Sequence, residues 1–371
     1  MNILGINIGH HSSVCLLQNG EITYFIQEER LNRQKHSPLP FKSVIELIQN
    51  YPIDVITWAS PGSPKNEECF PLLLNRLALT YNPNTKFIDY SSNHHKIHAA
   101  STFYNSGFKE GVCIVIDGIG SSYKNENSNF LNYETESVYQ CSYPDNLIEL
   151  YKNILDTSRF VNLSRAYEAV AMHLGWGRYE VGKVMGLAPY GKNNSLIPNL
   201  IYKNIANPQI FYTNHHQKGK YPSEKFPQTF IDEKLNSNLK LNIDPREWHH
   251  NPSKISNLEK DIAWKIQKET QELVGDYIEQ AIEKTGLKQV CCAGGYFLNC
   301  VANYYLTKRF PNIEFYFEPI SYDAGTAIGA AQLAYRGFTK DNNIYPQKTL
   351  YYGPQYSKEE LLEEIKKYVD N

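Results

Sequence analysis

No apolar run in this chain is long enough to cross a bilayer. The longest, Gly111 to Ile116 and Ala324 to Ala334, fall far short of the ~20 residues that a spanning helix needs. Met1 leads directly into the strand-like Asn2-Ile3-Leu4-Gly5-Ile6, so a soluble, cytoplasmic chain without a signal peptide is expected. An excess of basic charge is also missing. The 37 Lys and Arg are balanced by 39 Asp and Glu for a net charge of −2, which disfavours bulk binding to nucleic acid through counterion release. The seven cysteines, Cys15, Cys69, Cys113, Cys141, Cys291, Cys292 and Cys300, include no CxxC pair and are odd in number. They fit small hydrophobes in a reducing compartment better than a disulfide framework or a zinc ribbon.

What is present is an ordinary globular composition over 371 residues, room for about two to three compact units at roughly 150 residues each. The chain opens on apolar runs Ile3 to Ile8, Val14 to Gln18 and Ile22 to Gln27, the last two joined by Asn19-Gly20, a hairpin signal that predicts a β-meander. A helix is expected near Lys42 to Gln49, a strand at Val55 to Ala59 and a helix from His94 to Tyr104. A second apolar strand, Val112 to Ile116, runs into Asp117-Gly118-Ile119-Gly120-Ser121-Ser122, as the first ran into Gly9-His10-His11. This repetition predicts a duplicated α/β architecture rather than one doubly wound sheet. A long helix over Leu258 to Lys284, strands Gln289 to Ala293 and Ile313 to Phe317, and helices Tyr296 to Arg309 and Gly325 to Tyr335 complete it. The domains are expected at 1–110 and 111–350, with an insertion or lid at about 192–256 that is rich in Asn, Lys and His, and a linker at 351–371.

His94 and His98 are four apart, so one helix face presents both imidazoles and can share a metal. His95 stands where a zincin protease would carry its glutamate, which argues against that chemistry. Asp117 and Asp323 sit at strand ends. Asp117 can equally open a turn and Asp323 can cap the Gly325 helix; joined to the histidines, they make a mixed nitrogen and oxygen set suited to Fe, Mn or Zn. Gly-rich turns at Gly5 to Ser13, Asp117 to Ser122 and Ala293 to Asn299 offer backbone N–H groups to an anion. None is a Walker A loop, since no Gly-Lys-Ser follows.

In order and spacing, Leu4-Gly5-Ile6 with His10, Gln27-Glu28-Glu29-Arg30 with Arg33 and Lys35-His36, His94-His95-x-x-His98, Ile116-Asp117-Gly118, Lys183 to Gly191, Gly294-Gly295 with Asn299 and Asn303, and Asp323-Ala324-Gly325 resemble the O-carbamoyltransferases of the nodulation-factor and antibiotic-tailoring type. The resemblance covers about residues 3 to 356. It implies the duplicated fold of sugar kinases, heat-shock ATPases and actin, with a large domain similar to the tRNA threonylcarbamoyl-transferase subunit. It implies transfer of a carbamoyl group from carbamoyladenylate to a hydroxyl acceptor, with ATP and carbamoyl phosphate consumed by a YrdC-like C-terminal domain. By position it implies His94, His98, Asp117 and Asp323 as ligands of a divalent metal, Fe2+ above all. Gly294, Gly295 and Asn299 would hold the adenosine, Glu168 the ribose, and Lys183, Gly118 and Gly325 would lie near the phosphate.

Only residues to Asn371 follow Tyr352-Gly353-Pro354, too few for the YrdC-like domain, so a separate YrdC-like partner in a hetero-oligomer is expected. His10 is expected to be the base for the acceptor hydroxyl, because an imidazole titrates near neutrality. Glu28, Arg30 and Lys35 are candidates for contact with the carbamoyl or acceptor group. The acceptor pocket is expected from the segments around Phe70 to Lys86 and Lys192 to Ser256. Two rival readings are an actin-like kinase or ATPase, against which the imidazole pair counts, and a non-catalytic nucleotide-binding subunit.

Overall fold

The computed structural model describes residues 1–60, 69–124, 131–155, 162–177, 179–197, 199–201, 255–353 and 356–369. Most of the expected insertion, 202–254, and Pro354 of the linker motif lie outside the described residues.

Two sheets with the same strand order build the molecule. In the first, β1 (Asn2–Asn7), β2 (Ser13–Gln18), β3 (Glu21–Gln27), β4 (Val55–Ala59) and β5 (Lys86–Asp89) are arranged β3-β2-β1-β4-β5. Antiparallel pairing within the meander is followed by parallel pairing of β4 and β5. In the second, β6 (Glu110–Ile116), β8 (Leu131–Ser142), β9 (Asn146–Leu155), β10 (Gln289–Ala293) and β11 (Glu314–Phe317) repeat that order as β9-β8-β6-β10-β11, with the short β7 (Ser122–Lys124) added on β8. This is the duplicated actin-like fold. Continuous burial along β1, β2 and β6 explains why these strands read as unbroken apolar runs.

The helices outside the sheets are α1 (Glu28–Asn32), α2 (Phe41–Asn50), α3 (Cys69–Tyr81), α5 (Leu163–His173), α6 (Val181–Leu187), α7 (Asn257–Thr285), α8 (Cys300–Arg309) and α10 (Lys358–Val369). Two more helices cross between the sheets. The first, α4 (His94–Ser106), follows the first sheet in sequence but packs on β6, β8 and β10; the second, α9 (Thr326–Thr339), follows the second sheet but packs on β1, β2 and β4. Their own crossing is close. A Cβ on Gly329 would lie 2.1 Å from the Ile97 carbonyl oxygen, and one on Gly5 of β1 would lie 2.0 Å from that of Ala327. The alanine- and glycine-rich sequence of α9 therefore reflects backbone approach. No helix among the described residues is long and apolar enough to cross a membrane.

The expected helix Tyr296 to Arg309 is two pieces, a 3-10 turn at Gly295–Leu298 and α8. Asn299 divides them, because its Oδ1 accepts the Ala302 N–H at 3.0 Å and restarts the helix as an N-cap. Five cysteines, Cys15, Cys113, Cys141, Cys291 and Cys292, are buried free thiols, while Cys300 is exposed.

Candidate active-site cleft

The crossing helices begin on the same side of the molecule, and their first turns meet the ends of β6 and β10. The α4 N-terminus is fixed from the second sheet: the His94 N–H donates to Ser121 Oγ and the His95 N–H to Glu134 Oε1, each at 3.0 Å. These bonds satisfy amides that a helix start leaves open, and Glu134 adds negative charge where the helix dipole favours it.

Held this way, His94 and His98 point at Asp117, just past β6, and at Asp323, in the 3-10 turn before α9. His94 Nε2 lies 3.4 Å from Asp117 Oδ2 and 3.5 Å from Asp323 Oδ1; His98 Nε2 lies 3.7 Å from Asp323 Oδ1 and 3.2 Å from His94 Nε2. All four residues are buried, with one ligand atom of each within 4.8 Å of the others. Two ligands about 2.0 to 2.2 Å from a common ion at a tetrahedral angle stand roughly 3.3 to 3.6 Å apart. Donor set and spacing thus fit a divalent cation of borderline softness. The electrostatics ask for positive charge: burial pushes His94 down, but the two carboxylates outweigh it and raise its pKa to about 10. Burial alone would raise Asp323, and its imidazole neighbours hold it well below the usual carboxylate range.

Above this cluster lies a cleft of about 730 Å³ lined by both halves. Of the residues singled out in the sequence, His10, Arg30, Lys35, Asp117, Gly118, Glu168, Gly295, Asn299 and Asp323 line it, while Glu28 does not. His94 and His98 lie beneath its floor, at 0 and 1% exposure. His10 Nδ1 is 3.8 Å from Asp323 Oδ2. Glu168 pairs with Arg165 at 3.7 Å.

Three more of the residues singled out in the sequence, Lys183, Gly294 and Gly325, do not line the cleft. The Lys183 ammonium bonds to Glu180, while Val181, Gly182 and Met185 of the same helix face the cleft. Gly294 is a packing residue: its φ is +97°, and a Cβ there would lie 2.2 Å from the Ile116 carbonyl oxygen. Gly325 is another, since a Cβ would meet the Ile320 carbonyl oxygen at 2.1 Å.

Several turn amides expected to face an anion are taken by the protein itself. The Gly295 N–H donates to Asp117 Oδ1, Gly294 to Ser321, Gly120 to Glu134, Gly9 to Pro38 and Ser12 to Ser37. Asp117 is thereby the anion at the Gly294-Gly295 turn, and that bond aims its other oxygen at His94. Asn299, besides capping α8, donates to Gln267 Oε1 at 2.9 Å.

The structure brings to His10 several residues to which the sequence had assigned no role. His11, His36, Tyr179 and Tyr322 gather around His10. The ring of Tyr179 stacks on His10 at 5.5 Å and stands 4.9 Å from His36, and Tyr322 meets His11 edge-on at 5.0 Å. Burial and the neighbouring His10 lower His11 to about 4, so it is neutral at physiological pH. The adjoining histidines at 10 and 11 and the Lys35-His36 pair were the visible signals; Tyr179 had none.

Duplicated sheets, crossing helices and a cleft between them define a protein of the actin-like fold class. In keeping with that class, the structure matches full-length HypF in its phosphate- and nucleotide-bound form with a TM-score of 0.51 at 13% identity, over 91% of this chain and 46% of that one. At this identity the match speaks for the fold alone. A family model described as "Carbamoyltransferase N-terminus" matches residues 65–332, and the chain belongs to that family. Nodulation protein NolNO of Sinorhizobium fredii is 25% identical over 381 aligned positions, 96% of this chain and 50% of that protein. An uncharacterized protein of Synechocystis sp. is 25% identical over 412 aligned positions, 97% of this chain and 62% of that protein. The chain thus spans about half to six-tenths of the length of these curated relatives.

Proposed function

We propose that this chain transfers a carbamoyl group from carbamoyladenylate to a hydroxyl of a small-molecule acceptor. The donor is made from carbamoyl phosphate and ATP by a YrdC-like subunit or domain. The observation that carries this reading is the His94, His98, Asp117 and Asp323 cluster under a cleft in a chain of the carbamoyltransferase family.

His94, His98, Asp117 and Asp323 would hold a divalent ion, Fe2+ being suited to this donor set. Such an ion supplies Lewis acidity toward a carbamoyl or phosphate oxygen. In the transfer itself the acceptor oxygen attacks the carbamoyl carbon, the bond from that carbon to the phosphate oxygen breaks, and AMP leaves with the electron pair. His10 takes the hydroxyl proton. With Nδ1 turned toward Asp323, its Nε2 is the nitrogen left for that proton. Lys35, on the cleft wall, contacts the carbamoyl or acceptor group. The adenosine lies at the other end, against Gly118, Glu168, Gly295 and Asn299, where Tyr167, Tyr296 and Leu298 supply apolar wall.

A mixed carbamic and phosphoric anhydride hydrolyses readily, so a chamber shared with the YrdC-like partner protects it better than diffusion through water. The test is release of pyrophosphate from ATP with carbamoyl phosphate, first by this chain alone and then with a YrdC-like protein. Release only with the partner, coupled to carbamoylation of a hydroxyl acceptor, is expected. Robust release by the chain alone would reject the division of labour.

A further inference from the structure

Glu28 and Glu29 are adjacent at the start of α1 and hold different segments. Glu28, buried, accepts from the Lys42 N–H at 2.9 Å, the Ser43 N–H at 3.1 Å and Ser43 Oγ at 2.8 Å, and so caps α2. Glu29 accepts from Lys35 Nζ at 3.2 Å and from the His36 N–H at 3.3 Å, with Arg30 Nη2 at 3.7 Å. Its side chain is 8% exposed, against 77% for Lys35 and 63% for Arg30. A shielded carboxylate thus gathers two exposed cations and one backbone amide.

The segment it gathers is strained. Arg33 and His36 have φ of +60° and +58°, half of the non-glycine residues with positive φ among those described. Such conformations persist where the surroundings over-determine them, and they cluster at functional sites. The two residues that follow the segment are tied to the turn that carries His10 and His11, through the Gly9 N–H to the Pro38 carbonyl at 2.9 Å and the Ser12 N–H to the Ser37 carbonyl at 3.2 Å. The His36 ring meets His11 edge-on at 5.1 Å. An exposed ion pair contributes little to stability. What this one adds is placement of an ammonium and an imidazole on the cleft wall.

We propose that Glu29 is a positioning residue of the transfer reaction, folding residues 33–36 so that Lys35 and His36 face the cleft beside His10, and acting through Lys35. The proposal rests on the role given to Lys35 above. Burial works against an ionised Glu29, but the bonds from Lys35 and the His36 amide prevail and hold its pKa below the usual range, so the carboxylate is charged at working pH.

The experiment follows AMP release from carbamoyladenylate by wild type, Glu29→Gln, Lys35→Met and the double variant, with ADP affinity measured alongside. Glu29→Gln should lower kcat about fivefold or more while leaving the KM for carbamoyladenylate and the ADP affinity within about twofold, and the double variant should be no slower than Lys35→Met. Multiplied losses in the double variant, or an unchanged kcat in Glu29→Gln, would overturn the proposal. Limited trypsin digestion is read in parallel on Glu29→Ala: cleavage after Arg33 and Lys35 should quicken about fivefold or more, with cleavage elsewhere unchanged. Unchanged cleavage there would overturn it independently of activity. A wild-type chain that releases no AMP rejects the donor reading, and the digestion still decides whether Glu29 holds the loop.

Discussion

The Nε2 atoms of His94 and His98 stand 3.2 Å apart at the crossing of the two halves, in side chains that are 0 and 1% exposed. Two imidazoles in this relation share either a single proton or a cation, and the carboxylates of Asp117 and Asp323 beside them favour the cation. One divalent ion per chain is predicted for protein purified without chelator. His98→Ala should lose most of it, and chelation should lower the Tm of the wild type, because a ligand bound only to the folded state stabilises it by mass action. Elemental analysis and a melting curve with and without chelator check this; equal metal content in both proteins would remove the site.

Asn299 joins the α8 cap to the cleft wall. Asn299→Ala should destabilise the fold by about 1 kcal/mol through the lost cap. It should also weaken ADP binding by about 1 to 3 kcal/mol through lost hydrogen bonding. Calorimetric titration beside chemical denaturation separates the two, and lost stability with unchanged ADP affinity would leave Asn299 as a cap alone.

Glu318 gives the interface of the two halves a pH dependence. It is buried between Asn105 of α4, which donates to Oε2 at 2.9 Å, and the Ile320 N–H at 3.1 Å; Gln332 of α9 in turn donates to Asn105 at 2.7 Å. Burial is the dominant cause that raises its pKa from 4.5 to about 7. A carboxyl with a raised folded-state pKa binds more protons folded than unfolded between these values, so its contribution falls as pH rises from about 4.5 to about 7, by roughly 3 kcal/mol in all. Denaturation midpoints against pH should show that decline, and Glu318→Gln should flatten it.

Gly329 sits where α9 crosses α4. A methyl group there would lie 2.1 Å from the Ile97 carbonyl oxygen, and backbone cannot yield as a side-chain tip can. Gly329→Ala should therefore cost about 2 kcal/mol or more by overpacking, read as a lowered denaturation midpoint. Gly182→Ala on the cleft wall, where nothing lies within 4 Å, should cost far less.

The parts of this molecule that follow ordinary periodicity were legible in the sequence. The meander, β6, β10, α7 and α9 are apolar in the expected rhythm, and the recurrence of a strand running into a glycine turn already implied duplication. The His94 and His98 spacing and the two aspartates set just ahead of glycines marked the cluster, although Asp323, expected at a strand end, stands in the 3-10 turn before α9. β8 was hidden because its buried stretch is polar: Glu134, Thr135, Glu136 and Ser137 are all at most 1% exposed. They serve the α4 N-terminus, His95 and the chain entering α5. No alternation of apolar residues can announce such a strand. The fate of the turn amides was equally hidden, because whether an N–H faces a ligand or a carbonyl depends on partners far away in sequence, such as Asp117 for Gly295.

The most direct test of the account is to give the metal-loaded chain carbamoyladenylate with and without a panel of sugar and nucleotide hydroxyl acceptors, following AMP by chromatography and the carbamoylated product by mass spectrometry. AMP release that rises with a particular acceptor, matched by its carbamoyl ester and reduced at least about a hundredfold in His10→Ala, is the predicted result. AMP release that no acceptor alters, with no carbamoylated product and no effect of His10→Ala, would contradict it.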